Sequence, residues 1–258
     1  MRYTYKINLL LMVTLIGITI IFLLPPIAQS NSYNQFADKR FSNGIYNCYN
    51  VISNFPFLLI GAIGLFRSIK QKRSFNDPVL LFFVGICLTG IGSSYYHAYP
   101  TTERLLWDRL PMTISFMSFF SLILSEFIRK DLGKKLVIHF ICIGILSVLY
   151  WYNGELRGKG DLRFYALVQF LPLALIPLIL MLFRKNSTST DLYWLIILLY
   201  AVAKLCEHYD EMIFQFTNVI SGHTLKHLLA GCVPLIIIWK EVTMQQLMSS
   251  VAKETNVN

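Results

Sequence analysis

The sequence predicts an all-α protein: a polytopic transmembrane helix bundle with a seven-helix core plus one extra N-terminal helix or signal segment. Three observations predict it. The 258 residues are 55% hydrophobic and only 14% charged, with a mean hydropathy of +0.54, a composition foreign to soluble domains and the reverse of intrinsic disorder. Apolar runs of roughly 17–25 residues, enough to cross a ~30 Å hydrocarbon layer as helix, recur along the chain. The net charge of +9 sits in short clusters between those runs and forms no basic stripe or RNA-binding signature, so no nucleic-acid partner is expected. The expected partner is the bilayer itself, and the sequence names no protein partner.

In chain order the runs fall near 7–24, 47–66, 78–96, 107–128, 136–152, 164–183, 192–214 and 222–239. They are continuous rather than alternating over ~10 residues, which favours helices over a closed barrel. Arg67, Lys70, Lys72 and Arg73, then Arg129, Lys130, Lys134 and Lys135, then Arg184 and Lys185, and finally Lys240 fall on the same side as Arg2 and Lys6. By the positive-inside rule that side is cytoplasmic, and Trp107, Trp151 and Trp239 mark span ends. Residues 1–30 read as a signal-anchor helix or a signal peptide, because Ala28-Gln29-Ser30 resembles a cleavage site; the length of the apolar stretch favours a retained helix. Both termini are then cytoplasmic. Residues 31–243 form one domain, and 244–258 a polar cytoplasmic tail expected to fray. The five cysteines lie in or beside the runs with no CxxC pair and read as packing residues.

Ionisable residues inside spans are costly and default to functional hypotheses. Placed by depth at ~1.5 Å of rise per residue, they gather at one level, toward the extracytoplasmic side. The third run ends at His97, with Ser93 one turn earlier on the same face. The fourth begins with Asp108. The last begins with His223 and His227, four residues apart and so on one face. Three histidines with a fourth position open have the form of catalytic zinc, where Asp108 would orient or deprotonate water and Ser93 would support an oxyanion. An HxxxH pair is also common on amphipathic helices, and haem ligation is a further reading that explains neither Ser93 nor Asp108. The HExxH signature is absent.

At these residues the sequence resembles the alkaline ceramidase family, seven-helix membrane amidases, and within it the prokaryotic-type branch. Gly92-Ser93-Ser94-Tyr95-Tyr96-His97 is similar to the family's serine and ligand segment, and Trp107-Asp108-Arg109-Leu110-Pro111-Met112 follows at the family's spacing. Ser221-Gly222-His223-Thr224-Leu225-Lys226-His227 resembles its last-helix ligand pair, and residues 47–56, with Asn50, Ser53 and Asn54, its opening helix. The resemblance implies Zn2+ held by His97, His223 and His227, Asp108 as acid/base, Ser93 supporting the transition state, and hydrolysis of ceramide or a similar N-acyl lipid to a long-chain amine base and a fatty acid. Animal members carry an acidic calcium-binding run before the opening helix. Here Asp38 is followed by Lys39 and Arg40, and no calcium is expected.

The seventh run carries Lys204, Glu207, His208, Asp210 and Glu211. These read either as packing ion pairs or, for Asp210 and Glu207, as acceptors for the free ring N–H of a ligating histidine. Arg109 reads as snorkelling to the interface or pairing with Glu103. Tyr95 and Tyr96 read as packing residues or as walls of an acyl groove. A lipid receptor with a structural zinc, an ester hydrolase of the same group and a transporter are the competing functional readings.

Overall fold

The computed structural model describes residues 2–42, 44–184 and 188–255. Among them no β-strand occurs, and the helices follow the apolar runs: α1 (Tyr3–Leu23), α2 (Cys48–Ile52), α3 (Phe55–Lys70), α4 (Pro78–Ala98), α5 (Thr102–Ile123), α6 (Lys130–Leu156), α7 (Arg163–Leu182), α8 (Thr188–His208), α9 (Asp210–Thr217) and α10 (Gly222–Thr255). Seven segments among the described residues are long and apolar enough to cross a membrane, with α2 and α3 counted as one and α5 extended by a π-helical turn to Ile128. The protein is an integral multi-pass membrane protein of all-α fold.

Three departures from the sequence expectation have identifiable causes. The run at 47–66 breaks between α2 and α3, because Pro56 has no N–H to donate and its ring clashes with the carbonyl one turn back. The N–H of Asn54 accordingly bonds Val51 O instead of Asn50 O. The run at 192–214 is not among the seven segments; it bends at Tyr209 between α8 and α9. Helix α8 nevertheless runs the length of the bundle. Near its start Tyr193 donates to Glu126 Oε2 at 2.7 Å, and near its end Glu207 accepts from Lys226 of α10 at 2.9 Å. Finally, α10 continues through the segment expected to fray, as its Met, Gln, Ala and Lys residues favour helix.

Three apolar clusters among the described residues build the interior, the smallest of them Met117, Val137, Ile141 and Val168. The largest joins Phe82, Phe83 and Ile86 of α4 to Ile123, Ile176, Ile179 and Ile237, and Leu10 of α1 belongs to it. The second, at the end of the bundle where α4 finishes, holds Phe36, Tyr96, Leu105, Val148, Trp151 and Tyr165. At the opposite end Lys240 is buried and donates to Glu126 Oε2 at 2.5 Å and to the Tyr193 hydroxyl at 2.9 Å, tying α10, α8 and the π turn together.

The segment between α1 and α2 crosses the end that carries Tyr96 and is tied to the α6–α7 turn. Leu162 N–H donates to Ile27 O at 2.8 Å, and the Asp161 carboxylate accepts from Ile27 N–H at 3.3 Å. Burial alone would raise the Asp161 carboxyl, but hydrogen bonds from Arg163 prevail and hold it below its ordinary value.

Gly92 sets the spacing of α4 and α5. A Cβ there would lie 2.0 Å from Trp107 O, so any side chain forces the two helices apart next to Ser93 and Asp108. Gly92→Ala is expected to lower unfolding free energy by roughly 1–3 kcal/mol, read as an earlier unfolding transition in detergent. A transition unchanged from wild type would show that the interface yields without cost.

Candidate functional site

Two helices deliver the three histidines to one point. His97 lies in the last turn of α4, and His223 and His227 in the first turns of α10; all are buried, at 1%, 6% and 4% exposure. Their rings form a near-equilateral triangle with centroid separations of 4.7, 4.8 and 4.8 Å. Phe36 packs edge-on against His97 and His223 at 4.7 and 4.5 Å and closes one side.

The broken opening helix holds His227 in register. Asn50 O, deprived of its helical partner, accepts from Ser53 Oγ at 2.9 Å and from Asn54 Nδ2 at 2.8 Å. It also lies 3.2 Å from His227 Nδ1, and Ser53 Oγ lies 2.8 Å from the same nitrogen. A carbonyl only accepts, so Nδ1 carries the proton and the lone pair is left on Nε2. The Asn50 side chain grips the start of α10 as well: its Oδ1 accepts from Thr224 Oγ1 at 2.8 Å and Ser221 Oγ at 3.3 Å. Asn47, in the left-handed conformation (φ 48°), donates from Nδ2 to His97 O at 2.9 Å.

The histidine triangle fits a metal ion. Zinc binds imidazole nitrogen at about 2.0–2.1 Å, which places two nitrogens of a tetrahedral site roughly 3.3 Å apart. His97 Nε2 and His223 Nε2 are 3.2 Å apart, and one ligand atom from each of the three residues lies within 4.8 Å of the others.

Beside the triangle runs a cavity of about 500 Å3. His227, Ser93 and Asp108 reach its wall together with Lys226 and Glu207, and its far part is lined by Phe82, Phe119, Ile176, Ile196 and Val233. Ser93 and Asp108 face each other across the Gly92 contact, and Asp108 Oδ1 is buried with no hydrogen-bond partner among the described residues. A carboxylate oxygen left in that state at the polar end of a largely apolar cavity is free to accept a proton from a bound molecule.

The other charged residues take the ion-pair reading at Glu207 and depart from the ring-acceptor reading at Asp210 and Glu207. Asp210 bonds backbone rather than a ring: Oδ1 accepts from His223 N–H at 2.7 Å and Oδ2 from Ala37 N–H at 2.9 Å, fastening the segment after α1 to the start of α10. Glu207 accepts from Lys226 and Lys204, not from a histidine. The ring partners are the hydroxyl of Ser53 and the carbonyl of Asn50, to which the sequence assigned no role. Arg109 neither reaches the interface nor pairs with Glu103. It turns inward, 4% exposed, under the rings of Trp151 and Tyr165 at 4.1 and 4.9 Å. Tyr96 is buried and donates to Asn34 Oδ1 at 2.8 Å, while Tyr95 is exposed, and neither lines the cavity. Asp38 is fully buried against Arg40, whose Nε and Nη2 donate to it at 2.7 and 2.6 Å.

Ser53 tests the support of the triangle without removing a ligand. Ser53→Ala deletes the closer acceptor of His227 Nδ1–H, and metal affinity is expected to fall about 10–100-fold in a competitive chelator titration. An unchanged affinity would mean that the Asn50 carbonyl alone fixes the ring.

A comparison with curated proteins finds no match. Residues 38–257 match the Ceramidase family, a stretch that contains the opening helix, all three histidines, Ser93 and Asp108. The chain belongs to the ceramidase family.

Proposed function

We propose that this protein is a zinc-dependent membrane amidohydrolase that cleaves the N-acyl bond of ceramide or a similar lipid, releasing a long-chain amine base and a fatty acid. The observation that carries the reading is the meeting, at one cavity wall, of His227 of the histidine triangle with Ser93 and Asp108, one of whose oxygens has no hydrogen-bond partner among the described residues. Family membership supports the same chemistry.

Zinc held by His97, His223 and His227 would supply Lewis-acid polarisation of the amide carbonyl and a lower pKa for the attacking water. Asp108 accepts a proton from that water as its oxygen bonds to the carbonyl carbon. The same carboxyl then returns the proton to the departing nitrogen as the C–N bond breaks, which balances the reaction as amide plus water giving acid plus amine. Ser93, one turn before His97 on α4, donates its O–H to the carbonyl oxygen as negative charge develops there. The apolar far part of the cavity takes the acyl chain and excludes bulk water from the reacting bond. Opening within a helix bundle that spans the bilayer suits a substrate that never leaves the lipid phase.

Two variants separate the roles. Asp108→Asn is expected to keep one zinc per chain by elemental analysis while lowering turnover at least about 100-fold; loss of zinc together with activity would make Asp108 structural. His223→Ala is expected to lose both zinc and fatty-acid release, and wild-type zinc content in that variant would remove His223 from the ligand set. Zinc in the wild-type protein without hydrolysis of any N-acyl lipid would overturn the amidase reading in favour of a lipid-binding protein.

A further inference from the structure

Arg109 is a charged group at the cavity that the chemistry above leaves without work. Trp151, Tyr165 and Tyr33 cover its guanidinium at 4.1, 4.9 and 5.4 Å, and its Nη2 donates to Gln29 Oε1 at 2.6 Å. The other terminal nitrogen, Nη1, is buried and has no hydrogen-bond partner among the described residues. A guanidinium does not shed its charge, and aromatic faces stabilise the cation but offer its N–H groups no acceptor in the ring plane. A buried, unpaired donor of this kind is costly and calls for a reason.

The surroundings narrow the reason. Arg109, Lys204 and Lys226 line the cavity with only two carboxylates, Asp108 and Glu207. Glu207 is held by both lysines, and Asp108 is reserved for proton transfer. Arg109 is therefore the cation at this cavity whose Nη1 no carboxylate hydrogen-bonds among the described residues. It stands one residue after Asp108 on α5, near Tyr33 and Gln29, whereas Phe119, Ile196 and Val233 line the apolar part. An acyl chain seated among the latter leaves the amine side of the lipid toward Arg109.

We propose that the Nη1 edge of Arg109 binds an oxyanion, a carboxylate or a phosphate, carried on the amine side of the lipid substrate. The planar fork of arginine matches such groups better than it matches a hydroxyl. The inference deepens the amidase reading and rests on it for the position of the scissile bond.

The experiment uses the full chain in detergent with three N-acyl substrates of one acyl length: an N-acyl glycine, an N-acyl aminoethyl phosphate and a neutral N-acyl ethanolamine. Wild-type kcat/KM is expected to be at least about tenfold higher for one or both anionic substrates, and the comparison of the two separates carboxylate from phosphate. Arg109→Gln should shrink the anionic-to-neutral ratio at least about tenfold, and Arg109→Lys should restore part of it. Equal or better turnover of the neutral lipid by wild type, or a ratio unmoved by Arg109→Gln, overturns the proposal while leaving the amidase reading standing. Where Arg109→Gln does not fold, the wild-type ratio and the Arg109→Lys ratio decide. A second readout needs no turnover: hexadecyl phosphate should raise the unfolding temperature of wild type more than hexadecanol does, and the difference should vanish in Arg109→Gln. Stabilisation of that kind without hydrolysis of any amide would sink the amidase reading and keep the anion site; hydrolysis without it would do the reverse.

Discussion

The turn at Asn50 is the constraint on which the site depends. The opening helix breaks just before Pro56, and because Asn54 N–H turns to Val51 O the carbonyl of Asn50 is left without a backbone donor in a place where water is scarce. An unsatisfied carbonyl there is expensive, so Ser53, Asn54 and His227 converge on it. The same residue's side chain caps the first turn of α10 through Ser221 and Thr224. One asparagine thus orients a ring and positions the helix that carries it, and a local defect in a membrane helix becomes the bracket of a polar centre.

The remaining polar groups obey the same economy of partners. Asp210 satisfies the N–H of His223 in the first turn of α10 and that of Ala37 in the segment after α1, which brings Phe36 down over two imidazoles. Gly92 and Gly222 permit the close approaches that this arrangement needs, the second because a Cβ there would meet Cys206 O at 2.0 Å. At the far end, Glu126, Tyr193 and Lys240 form a separate polar knot. Between the two polar ends the cavity wall is largely apolar, so a hydrocarbon-like surface runs beside the histidine triangle, Ser93 and Asp108. The proposed chemistry on a lipid amide needs that juxtaposition, and a helix bundle provides it without unfolding any backbone into the bilayer.

Much of the fold was legible in the sequence because bilayer thickness fixes helix length. Each apolar run corresponds to a helix or a pair of short ones, and the mismatches occur at Pro56 and Tyr209, where a local break interrupts an otherwise apolar stretch. The gathering of His97, Asp108, His223 and His227 with Ser93 at one level was legible too, since rise per residue converts position into depth. The run at 192–214 left two readings, packing ion pairs or ring acceptors, and its spacing did not choose: Glu207 pairs with lysines and Asp210 with backbone.

Sequence alone determined the helical class, the residue types and the depth at which the reactive groups lie, because hydrophobic length and helical rise depend only on local order along the chain. The tertiary structure decided which nitrogen of His227 carries its proton, which groups Asp210 and Glu207 serve, and that Arg109 points inward beneath aromatic rings. Those outcomes depend on the rotation of each helix about its axis and on which neighbour it meets. Both are set by close packing between segments as far apart in the chain as Asn50 and His227, and no local pattern records them.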